Sequence, residues 1–447
     1  MQLKKSLAAV AITAALLVGC QTTQTAATTS VIAAQQLPAV DIQYETFTLD
    51  NGLRVVVHED RKAPIVAVNV WYAVGSKDEK PGQTGFAHLF EHLMFNGTEN
   101  YDDEYFGPFE RAGATDMNGT TSNDRTNYFQ NVPTPALDMA LWMESDRMGH
   151  LLGAVTQEKL DEQRGVVQNE KRQGLAQPYG RVFEFLAEQT FPKGHPYSWS
   201  VIGSMEDLDA ASLDDVHQWF NDYYGAANAV VVLAGDIDVA TAKEKMEKYF
   251  GHIAPGKPLQ KLESWVAKGT GTKRATMEDN VPAARIYKLW NTAELGTADS
   301  TYLNLLTNIL ANGKNSRLYQ RLVHQEQIAS MVAGFQYERV LAGQFFVIAD
   351  AKPGVELAQI EAIIDEELAK LVADGPTVEE LQRVKFAEVA NFVRGAERIG
   401  GFGGKSDILA AGMVYQNDPG AYQREYDILQ HATAQDIQAA AQRWLTD

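Results

Sequence analysis

Cysteine and basic residues are scarce in this sequence. The first scarcity excludes disulfide bonds within the chain, and the second argues against nucleic acid as a partner. Cys20 is the only cysteine among 447 residues, so no disulfide can form within the chain. Lysine and arginine number 39 against 58 acidic residues, which gives a formal net charge of -19. A surface of this sign repels phosphate backbones, so nucleic acid is a poor partner. We interpret the acidity as a source of solubility, with a preference for basic substrates as the sharper alternative.

The apolar run at the N-terminus, Leu7 to Val18, is too short for a membrane-spanning helix, which needs roughly 20 residues. Two lysines precede it, which is typical of a secretory signal peptide, here residues 1–19. The run ends in Leu-Val-Gly-Cys, which resembles a bacterial lipobox. We therefore expect cleavage before Cys20 and attachment of lipid to it. An ordinary signal peptide that happens to end in cysteine is the alternative.

This N-terminus predicts an exported, periplasmic protein that is held at a bacterial membrane, with the outer membrane favoured, by a lipid anchor alone. Residues 20–43 are rich in Thr, Ala and Gln and predict a flexible tether between the lipid and the fold.

Two folded domains are predicted beyond the tether, because the chain is too long for one ordinary core. Hydrophobic residues make up 45% and charged residues 22%, as in soluble globular proteins. Several Pro and Gly residues fall in 254–276, which predicts a linker. The predicted domains are 44–253 and 277–447.

The two predicted domains repeat one order of elements, which indicates an internal duplication of α+β domains. We expect each repeat to be a mostly antiparallel sheet packed with helices on one side. The strings His92–Gly97 and Asn308–Gly313 occupy equivalent places. No strand is predicted after the last helix of the second repeat, 434–444, so that repeat is expected to lack its last elements. We hypothesise that the chain is a fragment of a longer polypeptide, or that another chain completes the sheet.

A candidate metal site lies in the helix predicted over 85–95. His88 and His92 are four positions apart and therefore present two imidazoles side by side. Two neutral imidazoles suit Zn²⁺, and the carboxylate of Glu91 on the same face can accept a proton from a water that zinc activates. The pattern is the inverted zincin motif, H-x-x-E-H. Two surface or core histidines with a chance glutamate are the alternative.

The third ligand that catalytic zinc requires is expected to be a carboxylate, because no other histidine lies near a comparable motif. The helix predicted over 156–173 is the best carrier and has an acidic row with Glu158, Glu162 and Glu170. Glu162 and Glu170 lie about 12 Å apart along the axis and cannot easily bind one ion. Spacing alone does not choose between the acidic residues.

The motif at 88–92, followed by Val-Val-Gln-Asn-Glu at 166–170, resembles the pitrilysin/insulysin (insulinase-like) family of inverzincin peptidases. The flanking Gly-Phe-Ala at 85–87 and Met-Phe-Asn-Gly at 94–97 match its pattern, as do Asn-Gly-Thr-Thr at 118–121 and Tyr-Phe at 128–129. The resemblance implies that His88, His92 and Glu170 bind one Zn²⁺ and that Glu91 is the general base.

The same resemblance implies three further features. A supporting glutamate often lies seven residues before the ligand. Gln163 stands at that position, and the adjacent Glu162 is the candidate for the role. The segment of Asn118, Gly119, Thr120 and Thr121 would be an edge strand that pairs with substrate backbone, although Asn-Gly also favours a turn. A second half, in the same longer polypeptide or another chain, would close a chamber around the peptide.

The resulting hypothesis is a zinc endopeptidase for peptides or small unfolded polypeptides. One alternative is a noncatalytic assembly or chaperone-like subunit of the same fold. Another is a lipid-anchored protein that binds zinc without hydrolysis, although such a protein needs no base at Glu91.

Overall fold

The computed structural model describes residues 40–446. Its first sheet has six strands in the order β1-β2-β6-β3-β5-β4, and every neighbouring pair is antiparallel except β2 and β6. The strands are β1 Glu45–Thr48, β2 Arg54–Glu59, β3 Ile65–Tyr72, β4 Thr115–Thr121, β5 Thr126–Pro133 and β6 Ala229–Gly235. Because β4 ends the order, it is an edge strand.

Side chains that alternate along these strands divide between two faces of the sheet, as strand geometry requires. Val55 and Val57 point into a core that helices cover, whereas Val56 belongs to a separate core on the opposite face. The helices of this first half are α1 Phe86–Leu93, α2 Phe106–Ala112, α3 Leu137–Gly149, α4 Gln157–Ala176, α5 Val182–Thr190, α6 Met205–Ala210, α7 Leu213–Tyr223 and α8 Val239–Phe250.

The second sheet has three antiparallel strands in the order β7-β9-β8. They are β7 Arg285–Thr292, β8 Ala329–Tyr337 and β9 Gly343–Ala351, and a π-helical turn, Tyr319–Gln325, precedes β8. The helices are α9 Ala298–Leu310, α10 Leu357–Asp374, α11 Val378–Ala396, α12 Lys405–Gln416, α13 Ala421–His431 and α14 Ala434–Trp444. No helix in the described part of the chain is long and apolar enough to cross a membrane.

These elements confirm the predicted α+β class with mostly antiparallel sheets. Asn51-Gly52 forms the turn between β1 and β2, and Gly52 adopts the positive φ of 86° that such turns require. Residues 254–276, predicted as a linker, contain neither helix nor strand. Between residues 40 and 446 no strand follows β9. Completion of the second sheet by another chain stays a prediction, as do the domain boundaries.

Helices of the second half cover the face of the first sheet that α1–α8 leave open. Leu409 and Ala410 of α12 and Tyr422 of α13 pack with Val56 and Trp71 in one core. Ile42 joins this core, is 2% exposed, and donates its backbone N–H to the Tyr422 hydroxyl at 2.6 Å. The flexible tether predicted over 20–43 therefore ends too late, because Ile42 is packed into this core. The rest of that segment, and residues 1–19 with it, lies almost wholly outside the described residues.

A hairpin of the second half holds the turn between β4 and β5. The Tyr197 hydroxyl donates to Asp124 at 2.6 Å and accepts the backbone N–H of Leu341 at 2.9 Å. Asp124 also accepts the backbone N–H of Val340 at 3.1 Å. The Arg339 guanidinium stacks 4.2 Å from the centroid of the Tyr197 ring. Since Asp124 and Tyr197 are buried, these bonds form in a region of low dielectric, where they are strong.

We predict that Tyr197→Phe lowers the free energy of unfolding by about 1–3 kcal/mol, because Asp124 and the Leu341 N–H lose a buried partner. Urea denaturation measures the change. Tyr337→Phe is the matched control at the same contact. Tyr337 is 41% exposed and its hydroxyl reaches Asn123 only at 3.5 Å, so a change below about 0.5 kcal/mol is expected. Equal effects of the two substitutions would contradict the role given to Tyr197.

Candidate metal centre

Helix α1 carries His88, Glu91 and His92 and begins without a side-chain cap of its own. Its N-cap, Gly85, has φ 91° and makes no side-chain cap bond. Glu79 supplies the missing acceptor, because its Oε1 accepts the backbone N–H of Ala87 at 3.0 Å. A carboxyl oxygen at a helix N-terminus satisfies an N–H that has no partner within the helix. Trp199 Nε1 donates to the other oxygen of Glu79 at 3.0 Å and holds the carboxylate in place.

Helix α4 carries Glu170 and has Thr156 as its N-cap, whose side chain accepts the N–H of Lys159. Leu160 and Val167 are fully buried and orient the helix, while the Glu170 side chain is 45% exposed. Its neighbour Lys171 is buried, and its Nζ donates to the Gly203 carbonyl and to Glu184, both at 2.6 Å.

The loop 199–203 contacts both helices. A Cβ on Gly203 would lie 2.3 Å from the Thr84 carbonyl oxygen and 2.4 Å from the Gly85 Cα. Only glycine permits this close approach to the beginning of α1. The loop therefore contacts α1 through Gly203 and α4 through Lys171, so the two helices that carry the candidate ligands are fixed to one segment.

The structure brings His88, His92 and Glu170 together at one point. The Oε2 of Glu170 lies 3.7 Å from Nε2 of His88 and 3.5 Å from Nε2 of His92. The two imidazole rings are nearly perpendicular, with centroids 4.8 Å apart. In the described residues these are the only three His, Cys, Asp or Glu side chains whose ligand atoms all lie within 4.8 Å of one another.

This donor set fits zinc. Burial, with the neighbouring His92, lowers the pKa of His88 to about 4, so its imidazole is neutral and has a lone pair for a metal at neutral pH. Two imidazoles and one carboxylate are an established ligand set for catalytic zinc and leave a fourth position open. The residues therefore suit a metal that must also accept water or substrate.

Glu91 lies beside these ligands and is 8% exposed. Its Oε2 accepts a hydrogen bond from the Thr121 hydroxyl at 2.5 Å, which ties α1 to the end of β4. Burial raises the pKa of Glu91 to about 7, and Thr121 and Arg125 oppose that rise. A carboxyl group with a pKa near neutrality can both accept and return a proton at physiological pH.

The remaining predicted site residues divide into two groups. Asn118, Gly119, Thr120 and Thr121 lie in the edge strand β4 and not in a turn, whereas their pairing with substrate backbone stays a prediction. The turn instead follows at 122–125. Glu162 is exposed on α4 and is not among the residues that converge on the site. Its supporting role stays a prediction without a contact to carry it.

Sequence analysis missed Glu79 and Lys171. Glu79 lies close before the motif and Lys171 directly follows Glu170, but neither position shows a pattern. The contact of Glu79 with Trp199 spans 120 residues, and that of Lys171 with Gly203 spans 32. Such contacts exist only once the loop 199–203 has folded between the helices.

Comparisons with known proteins agree on one family. The profile for insulinase (peptidase family M16) matches residues 54–203, and that for the peptidase M16 inactive domain matches residues 210–388. The zinc protease PqqE of Helicobacter pylori is 29% identical over 393 residues, which cover 86% of this chain and 87% of that protein.

Solved structures show the same fold. A protease from Helicobacter pylori superimposes with a TM-score of 0.83 at 27% identity and covers 92% of this chain and 98% of that chain. The periplasmic protease PqqL from Escherichia coli superimposes with a TM-score of 0.69 at 20% identity. That match covers 91% of this chain but only 47% of PqqL, so the longer protein contains this fold within about half of its length.

We predict that His88→Ala, His92→Ala and Glu170→Ala each lose stoichiometric zinc, because each removes one of three protein ligands. Elemental analysis of the purified proteins measures the content, with about one zinc expected per chain of the unaltered protein. Glu162→Ala is the matched control on α4 and should retain its zinc. Zinc lost from Glu162→Ala and kept by Glu170→Ala would reverse the assignment of the third ligand.

Proposed function

We propose, because the chain belongs to the insulinase family (peptidase family M16), that it is a zinc-dependent endopeptidase that hydrolyses peptides or small unfolded polypeptides. The observation that carries the proposal is the convergence of His88, His92 and Glu170 beside the buried carboxyl group of Glu91. Zinc binding alone would not need a further carboxyl group buried next to the ligands. General base catalysis does need one.

Zinc held by His88, His92 and Glu170 would supply a Lewis acid for water activation and carbonyl polarisation. Glu91 takes the proton from the attacking water and later gives it to the leaving amine. Its hydrogen bond from Thr121 leaves the other carboxylate oxygen, Oε1, available for this transfer. Burial of Glu91 serves the second step, because it stabilises the protonated form that must exist between the two transfers.

The edge strand β4 offers a place for the peptide backbone. Its partner β5 occupies one side only, so the other side has backbone groups that an extended peptide can pair with. Thr121 at the end of this strand bonds Glu91, and a peptide along β4 would therefore run past the catalytic carboxyl group. Backbone pairing reads shape more than sequence, which favours broad specificity.

A noncatalytic subunit of the same fold is the second candidate, and the inactive-domain match over 210–388 is the observation that favours it. That match covers mainly the second half, where Asn304, Thr307 and Asn308 stand at the positions of the motif. The first half keeps all four residues that the chemistry needs. We therefore favour hydrolysis by the first half and a noncatalytic role for the second.

We also propose that a second half, in a longer polypeptide or another chain, closes the chamber around the peptide. The match to half of PqqL supports this proposal. Cleavage by the purified chain alone would show that this chain acts without such a further half.

Glu91→Gln should keep its zinc and lose about 10²–10⁴-fold in turnover, because the amide cannot accept the proton. Elemental analysis and cleavage of a quenched fluorescent peptide measure the two effects on the chain without residues 1–19. Glu162→Gln, the same acid-to-amide change on an exposed neighbour, should cleave like the unaltered protein. Full cleavage by Glu91→Gln would exclude this mechanism.

Export and lipid attachment at Cys20 are proposed from the N-terminal sequence, which lies outside the described residues. We expect the full-length protein to incorporate labelled fatty acid in a bacterial host and to sediment with membranes. Cys20→Ser should abolish the label, because it removes the only thiol in the chain. A label retained by Cys20→Ser, or an unmodified Cys20 in the mature protein, would contradict the lipobox interpretation.

A further inference from the structure

A glycine-rich loop, Gly400-Gly401-Phe402-Gly403-Gly404, connects α11 to α12 and crosses the face of the first sheet opposite α1. Gly401 and Gly403 adopt φ values of 72° and 68°, which glycine accepts without strain. A Cβ on Gly400 would lie 2.0 Å from Oδ1 of Asn131 and 2.8 Å from Cβ of Ala67. The loop therefore lies directly on β3 and β5, and glycine is required for that contact.

The loop presents one large apolar side chain, Phe402, beside the edge of the sheet. Phe402 is 49% exposed, and its ring packs edge-on against Phe129 of β5 with the centroids 4.9 Å apart. Phe129 is the cross-strand partner of Asn118 in β4. The position of a Cβ on Gly401 is 3.6 Å from the Asp116 side chain, so the loop reaches β4 itself.

Strand alternation separates this surface from the metal centre. Gly119 faces α1, because a Cβ there would meet the ring of Phe95 on the helix side at 2.7 Å. Thr121 faces the same way and bonds Glu91. Asn118 points to the opposite face, since cross-strand partners share a face and Phe129 packs there with Phe402.

A peptide paired with β4 continues the sheet, so its side chains alternate between the same two faces. Side chains on one face point toward the metal ligands and Glu91. Side chains on the other face point toward the surface that Phe129 and Phe402 form. The loop holds this aromatic ring exposed to water. An apolar group of the peptide that covers the ring lowers the free energy of the complex.

We propose that Phe402 is a specificity-determining residue: it receives a bulky apolar side chain of the bound peptide, at a position that faces away from the metal centre. This inference rests on the proposed peptidase function and adds a preference to it. The substrate class is a peptide with an aromatic or large aliphatic residue at that one position, among otherwise unrestricted residues.

The test uses quenched peptides that carry either Phe or Ser at each position around the scissile bond. The unaltered protein should favour Phe over Ser at one peptide position, whose side chain faces away from the metal centre. Phe402→Ala should reduce that preference about tenfold, mainly through KM. Phe402→Tyr should restore it, because the ring remains. Phe386→Ala, which removes another exposed phenylalanine on α11, should leave the preference unchanged.

Binding of the same peptides to Glu91→Gln, with and without Phe402→Ala, measures recognition apart from turnover. A lost preference in both assays supports the inference. Cleavage with an unchanged preference in Phe402→Ala overturns this inference and leaves the peptidase intact. A protein that neither binds nor cleaves any peptide overturns both. A change of oligomeric state in Phe402→Ala would assign the ring to a contact between chains and also overturn the inference.

Discussion

The separation between α1 and α4 is the constraint on which the candidate metal centre depends. Two candidate ligands come from α1 and one from α4, and a shift of about 1 Å in either helix would take a donor out of coordination range. The loop 199–203 opposes such a shift from both sides. Trp199 holds Glu79 at the beginning of α1. The carbonyl oxygen of Gly203 accepts a hydrogen bond from the buried ammonium group of Lys171, next to Glu170. A hydrogen bond to a buried charge contributes about 1.5–3 kcal/mol, enough to oppose small displacements.

The edge strand β4 is held at its end by two different parts of the chain. Thr121 bonds Glu91 in the first half, and three residues later Asp124 binds the hairpin of the second half through Val340 and Tyr197. None of the candidate metal ligands lies in the second half, yet it fixes the turn that follows the proposed peptide-binding strand. Under the proposed function, its contribution would therefore be to position that strand.

Local pattern was sufficient to predict part of this architecture. The spacing of His88 and His92 predicted their convergence because four residues make about one helical turn. Glu170 could be singled out only through the family resemblance, because the spacing of the acidic residues on α4 does not favour one carboxylate over another. Helices α12 and α13 were not predicted, since the glycine-rich loop reads as irregular chain and their buried faces exist only against the first sheet. The packing of Ile42 was not predicted either, because the core that buries it forms only against the first sheet.

The second half contains a comparable pair of helices that carries different side chains. Asn308 stands where His92 stands in the first repeat, and its Nδ2 donates to Glu388 of α11 at 2.9 Å. Helix α11 follows β9 and α10 as α4 follows β5 and α3, so Glu388 lies on the helix that corresponds to α4 by element order. An amide bonds a carboxylate directly, and this pair needs no cation. In the first half His88 and His92 stand 3.5–3.7 Å from Glu170, beyond hydrogen-bond distance but well placed to share an ion. The helix pair of the second half is thus joined by a hydrogen bond, whereas the helix pair of the first half presents three donors that suit a metal ion. The difference follows from the side chains alone.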